Sequence, residues 1–153
     1  MAETSFFMRT GNIIFSGVLR SPLHSLVSSS FMLVSVTGRK SGKIYTTPVN
    51  YHRVGDALHV ISVRSRTWWR NLRGEGAAVT LRLQGKERPA WGRAIEDEQT
   101  IAQALTDYLN QAPKNARYFG VTLTPDGKPR QEDIQRSAKD GVIVEFRLQP
   151  PPA

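Results

Sequence analysis

Short runs of apolar and β-branched residues, separated by glycine-bearing turns, fill residues 31–95. "FMLVSVT" (31–37), "IYTTPVNYHR" (44–53), "ALHVISVR" (57–64), "AVTLRL" (78–83) and the stretch Arg88 to Ile95 read as strands. "GRKSGK" (38–43), "VGD" (54–56) and Gly85 mark turns. Strands joined by turns this short are antiparallel. Pro48 inside the second strand predicts a sheet edge or a bulge, because proline has no N–H to donate to a ladder. After Ile95 the period changes. Ile101, Ala104, Leu105, Tyr108 and Leu109 recur at helical spacing, so residues 97–111 read as a helix with one buried face, stopped by Pro113. "KNARYFG" (114–120) predicts a further helical turn, "TLTPDGKPR" (122–130) a loop and "QEDIQRSAK" (131–139) a short helix. "VIVEFRL" (142–148) is the last strand. At the start, "GNIIFSGVLR" (11–20) reads as a short apolar helix that Pro22 ends.

Six strands and few helices predict an α+β, mainly β fold. The expected form is a six-stranded antiparallel β-barrel, closed or split, with flanking helices, since an open sheet of this kind needs cover. Residues 1–153 read as one domain: helix 11–20, barrel strands 31–95, helix 97–111 and last strand 141–148. No run of about 18 apolar residues predicts a membrane span. The N-terminus lacks the charged, apolar and small-residue order of a secretory signal. The absence of cysteine excludes disulfides, thiolate zinc sites and cysteine nucleophiles, and fits a cytoplasmic location.

Charge changes the picture. The net charge is +8, and it is unevenly placed. Residues 1–93 hold 14 Lys+Arg against 4 Asp+Glu, while residues 94–153 hold 7 against 9. Between Arg39 and Arg73 eight cations face one acid, Asp56. Such a field attracts polyanions: nucleic acid, acidic lipid or a phosphorylated cofactor. The turn "GRKSGK" is no Walker A loop, because three residues separate Gly38 and Gly42, and Ile44 follows Lys43. Its backbone N–H groups and cations nevertheless suit phosphate oxygens, although a basic turn by itself is more often a solvated one. "RSRTWWRNLR" (64–73) offers Trp68 and Trp69 beside four arginines, either as a stacking platform or as core. His24, His52 and His59 match no metal spacing, and no metal is expected; His52 and His59 are placed to face each other across the hairpin at Gly55. Glu96, Asp97 and Glu98 at the start of the helix read as dipole partners in preference to a catalytic pair. Tyr118 reads equally as a plug of the barrel's open end or as a lid residue whose hydroxyl donates a proton.

The order of "VTGRKSGKIYTTPV", "VGDALHVISV", "WWRNLRGEGAAVTLRLQGK" and "DGVIVEFRLQP" resembles the deazaflavin-dependent nitroreductase family of split β-barrel oxidoreductases, over roughly Met32 to Gln149. The Gly-Arg-Lys-Ser-Gly turn with Thr-Thr-Pro after it is the most specific part, and Trp68 with Asn71-Leu72 fits the family's aromatic-x-x-Asn-Leu segment. The resemblance implies an FMN-binding split-barrel-like fold whose groove holds coenzyme F-420, a deazaflavin with a phosphate and an oligoglutamate tail. Arg39, Lys40, Ser41 and Gly42 are then expected at the tail or phosphate. Thr47, Pro48 and Val49 line the ring site, and Ser62, Val63 and Arg64 form the loop beside ring or phosphate. Trp68 joins them as a stacking platform, and Tyr118 falls at a substrate-side position as the catalytic proton donor. Two departures stand out. Ile44-Tyr45 replaces the Pro-Arg of many members, and "SVRSRT" is shorter than their Ser-Lys-Gly-Gly loop, with Arg64 in place of the lysine.

The implied activity is hydride transfer from reduced coenzyme F-420 to a quinone, nitroaromatic or similar flat substrate. A separate dehydrogenase would reduce the cofactor, and no nucleic acid would be needed. The alternative is a non-catalytic split barrel that holds FMN or a fatty acid, with the apolar segment 12–19 as a peripheral membrane contact or lid. Single-strand nucleic-acid binding through Trp68, Trp69 and the arginines is a third reading. Edge strands leave homodimerisation open.

Overall fold

A single residue, Tyr51, separates two strands that lie at opposite edges of one sheet. In the computed structural model, which describes residues 31–149, the strands are β1 (Phe31–Thr37), β2 (Ile44–Asn50), β3 (His52–Val54), β4 (Ala57–Val63), β5 (Ala77–Leu83), β6 (Lys86–Ile95) and β7 (Gly141–Leu148). Their order is β2-β1-β5-β6-β7-β4-β3, antiparallel throughout. Consecutive Cα atoms are about 3.8 Å apart. One residue therefore bridges β2 to β3 only if the sheet curls until its edges meet. The strand count is seven where the sequence pattern gives six. The segment 44–53 divides because Ile44–Asn50 pairs with β1 whereas His52–Val54 pairs with β4. Tyr51 at the corner is buried in the core. Pro48 lies opposite Leu33 in an edge strand, where its missing N–H costs no ladder bond.

Alternation then sorts the side chains. Met32, Val34, Val36, Leu58, Val60, Val79, Leu81, Val142, Val144 and Phe146 pack together inside the curl. The 3-10 turn Trp68–Leu72 adds Trp68, Trp69 and Leu72 to this core. A second core covers the outer face. Helix α1 (Glu98–Gln111) brings Ile101, Leu105 and Leu109, and helix α2 (Gln131–Asp140) brings Ile134 and Ala138, onto Ile61, Ile95 and Ile143. β7 is thus buried on both faces, which accounts for its near-continuous apolar run. Asp97 caps α1 by accepting from the Thr100 N–H at 2.9 Å and from its hydroxyl at 2.6 Å, and these bonds lower its pKa. A 3-10 turn, Pro113–Phe119, follows α1 and ends at Gly120 in the left-handed region, φ 68°. No helix among the described residues is long and apolar enough to cross a membrane. The expected helix at 11–20 lies outside the described residues.

The two histidines face each other as the hairpin predicts, His52 opposite His59. His59 Nε2 lies 3.1 Å from Glu145 Oε2. The His52 ring packs on Tyr108 of α1 at 4.4 Å. Burial first, and the neighbouring His59 second, lower the pKa of His52 to about 4. The unfolded chain then binds a proton near pH 6.5 that the folded chain refuses until about 4. Stability is full above 6.5 and falls as the pH drops through that window. Urea denaturation at stepped pH should show this loss, and His52→Gln should flatten it. Equal slopes in the two proteins would contradict the assignment.

Candidate cofactor and active site

The basic turn is built by its glycines and fastened from one side. Gly42 has φ 71°, which favours glycine. A Cβ on Gly38 would lie 2.7 Å from Ser41 Oγ and 2.9 Å from Tyr45 Cε2. The Gly38 N–H donates to the Lys43 carbonyl at 2.7 Å, and the Gly42 N–H to the Gly38 carbonyl at 2.8 Å. Ser41 Oγ accepts the Lys43 N–H at 3.2 Å and lies 3.1 Å from the Tyr45 hydroxyl. Asn71 Oδ1 accepts the Arg39 N–H at 3.1 Å, while its amide donates to the Trp68 carbonyl at 3.1 Å. The Arg39 guanidinium donates to the Arg73 carbonyl. Arg39 therefore holds the turn against the Trp68–Leu72 segment. Lys40 and Lys43 are exposed, with side chains unpaired among the described residues.

The tryptophans are core. Trp69 is 1% exposed and Trp68 7%, with Trp68 stacked on Phe146 at 6.4 Å between ring centroids. The Arg73 guanidinium sits 4.8 Å from the centre of the Trp69 ring. Neither ring offers an open face to successive bases, so the single-strand reading loses its platform. The same burial takes Trp68 away from the ring-stacking position expected of it. Arg64 departs from expectation as well. It donates to Glu96 through Nη1 at 3.3 Å and to the Glu96 carbonyl at 2.7 Å, with Nε reaching the Lys139 carbonyl at 3.2 Å. Arg73 shares the same carboxylate at 3.2 Å. Glu96 is thus an ion-pair hub and not a dipole partner of α1.

A cleft of about 700 Å³ opens between the end of β2, β4, α1, the Pro113–Phe119 turn and α2. Five of the residues expected at the site line it: Pro48, Val49, Ser62, Val63 and Tyr118. Its walls are mainly apolar, with Val60, Ile61, Ile101, Leu105 and Phe119 among them. Thr47 sits beside it, buried at 6% exposure. The turn residues Arg39, Lys40, Ser41 and Gly42 lie at the other end of β2, outside the cleft lining, as do Arg64 and Trp68. Tyr118 is 71% exposed, with the Arg117 guanidinium 5.3 Å over its ring. Such exposure excludes the plug reading.

Residues 21–123 match the family described as F-420H(2)-dependent quinone reductase. The chain belongs to that family. Membership makes it a member of a group of F-420-dependent oxidoreductases. A search of curated proteins finds no match. Among solved structures, a pyridoxamine 5′-phosphate oxidase-like protein from Listeria innocua shares 10% identity at TM-score 0.51, over 84% of this chain and 90% of that one. A 5-nitroimidazole antibiotic resistance protein from Bacteroides thetaiotaomicron shares 14% at TM-score 0.51, over 83% and 78%. A chain described as a domain-swapped dimer shares 16% at TM-score 0.50, over 96% and 99%. At these identities the likeness concerns the fold alone.

For this quinone reductase family member, sequence reasoning missed Arg136 and the walls from α1 and α2. Arg136 lines the cleft from α2, where its guanidinium pairs with Asp133. The Thr122 N–H, at 2.9 Å, together with Arg136 holds the Asp133 carboxyl below its usual range. The helical period of 131–139 could have placed one face of α2 on the sheet, but not against β4, which is some 70 residues away in sequence. A second cleft, of about 850 Å³, lies beside α1 and is lined by His52, His59, Asp97, Gln103, Asp107 and Tyr108. No group of three metal-ligating side chains occurs among the described residues. Asn71→Ala should remove its bond to the Arg39 N–H, one of the two that fasten the basic turn, together with its bond to the Trp68 carbonyl, and cost about 1–2 kcal/mol. Hydrogen exchange of the amides at 38–43 should speed up in that variant. Unchanged exchange there would contradict the role given to Asn71.

Proposed function

We propose that the protein binds coenzyme F-420 with its deazaflavin ring in the cleft and its anionic tail toward the Gly38–Lys43 turn. It then reduces a quinone or a similarly flat, electron-poor substrate. The observation that carries this reading is the convergence of Pro48 and Val49 with Ser62, Val63 and Tyr118 in one apolar cleft. Family membership supports the choice of cofactor. So does the fit. A mostly apolar slot of about 700 Å³ suits a flat tricyclic ring with a second flat molecule against it. β2 runs from the turn to the cleft, and the four steps from Ile44 to Pro48 cover about 14 Å. An elongated ligand with a ring at one end and charge at the other matches that spacing. Lys40 and Lys43 supply the field for the charged end.

When bound, the deazaflavin supplies the hydride chemistry. The chain supplies the rest. Val49, Val60, Ile101 and Leu105 exclude water from the ring's surroundings. Ser62, 8% exposed, presents a hydroxyl to the cleft at the end of β4. Tyr118 stands at the rim with its hydroxyl available to donate a proton to the reduced substrate oxygen. No acid–base dyad is required, which agrees with the tying of Glu96 and Asp97 into structural bonds. A separate dehydrogenase returns the cofactor to its reduced form.

Titration with oxidised coenzyme F-420, followed by tryptophan fluorescence, should give micromolar or tighter binding. Lys40→Ala should weaken it by about fivefold in low salt and by less in high salt, because exposed charges are screened. Binding of FMN or a fatty acid in its place would sink the reading in favour of the alternative barrel. Separately, Tyr118→Phe should lower kcat by about 100-fold while leaving cofactor affinity within about twofold. A loss confined to affinity would remove Tyr118 from the proton step.

A further inference from the structure

We propose that Arg66 is the oxyanion-binding residue of the cleft, and that the ligand seated there brings a phosphate, carboxylate or sulfonate to that wall. This rests on the proposed function for the identity of the ligand, but not for the site itself. The neighbouring arginines are already engaged. Arg39 donates to the Arg73 carbonyl. Arg64 is held by Glu96 and the Lys139 carbonyl, and Arg73 by Glu96. Arg136, across the cleft, pairs with Asp133. Arg66 lines the same cleft, yet its guanidinium makes no hydrogen bond or ion pair among the described residues.

The backbone that carries Arg66 is fixed. The Arg64 N–H donates to the Asp140 carbonyl at 2.8 Å, and the Arg66 N–H donates to the Val63 carbonyl at 3.1 Å. These bonds close a tight turn at the end of β4 and set Arg66 beside Ser62 and Val63, which line the cleft with it. Arg64 is therefore the structural arginine of this short loop, and Arg66 is the one left for a ligand. Among the described residues Asp140 is the single acid in the lining, against two arginines, and it makes no bond to Arg66. Arg66 is exposed at the rim of these apolar walls, so its guanidinium is free to turn two parallel N–H donors onto an oxyanion of a seated ligand. The basic turn contributes nothing to the cleft lining, so Arg66 meets a different part of the ligand assembly from Lys40.

Three probes separate the sources of the oxyanion: 1,4-naphthoquinone, its 2-sulfonate and oxidised coenzyme F-420. Each is titrated into wild type, Arg66→Ala and Arg66→Lys, with thermal melting as a check that the variants fold. Loss of the guanidinium should weaken the sulfonate by about tenfold and leave the neutral quinone within about twofold. Arg66→Lys should recover part of the loss, since it keeps charge without the planar fork. If F-420 weakens alongside the sulfonate, the oxyanion belongs to the cofactor; if the sulfonate alone weakens, it belongs to the substrate. Sulfonate and F-420 affinities both within about twofold of wild type in Arg66→Ala would overturn the proposal while leaving the F-420 reading intact. Conversely, Arg66-dependent sulfonate binding without any F-420 binding would keep the proposal and overturn that reading. Binding of none of the three probes to wild type would overturn both.

Discussion

Tyr51 joins the two edges of the sheet, and that one constraint organises the rest of the molecule. β2 and β3 follow each other in sequence but sit at opposite ends of the strand order. The sheet has to curl to bring them together, and the curl creates an inside. Aliphatic side chains from β1, β4, β5 and β7 fill it, together with Trp68, Trp69 and Phe146. Because the edges meet at a corner and do not pair along their length, a gap remains between the end of β2 and β4. α1, α2 and the Pro113–Phe119 turn wall that gap into the cleft. The cleft is thus a consequence of how the barrel fails to close.

The cations divide their labour. A field as positive as this one looks in sequence like a single anion-binding surface. In the fold, Arg39, Arg64 and Arg73 are fasteners: the first holds the basic turn to the Trp68–Leu72 segment, and the other two meet on Glu96. Glu96 is about one-third exposed, so each of its ion pairs contributes modestly. Their value is positional, since together they hold the loop after β4 against the start of α1. On the proposed reading Lys40 and Lys43 at the turn, and Arg66 after β4 at the cleft, are the cations left for ligands. In the proposed function the charge supplies attraction and orientation, and the apolar cleft supplies the medium in which such contacts strengthen.

Most of the fold was legible. β1 falls on the predicted residues, and α1, α2, β4 and β5 fall within a residue or two, because each has a clear period and a glycine, proline or cap at its ends. The break at Tyr51 was not legible. The residues on either side are equally β-prone, and the difference lies in which partner each half pairs with. The cleft was half legible. Pro48, Val49, Ser62, Val63 and Tyr118 follow from the resemblance of one motif after another. Arg66 and Arg64 are two residues apart in one loop, and nothing local says which faces the cleft; Glu96 and Lys139 decide it from far along the chain. Trp68 and Trp69 were ambiguous for a similar reason, since an aromatic pair beside arginines looks the same whether the rings pack on Phe146 or face solvent.

Hydrogen–deuterium exchange of the full chain, with and without oxidised coenzyme F-420, tests the central claim most directly. The account predicts added protection in peptides covering 48–50, 60–66 and 118–120 at the cleft, joined by the turn at 38–43. The outer strands β5 and β6 should be unchanged. Protection that skips the cleft peptides, or appears at the second cleft beside α1 instead, would contradict it.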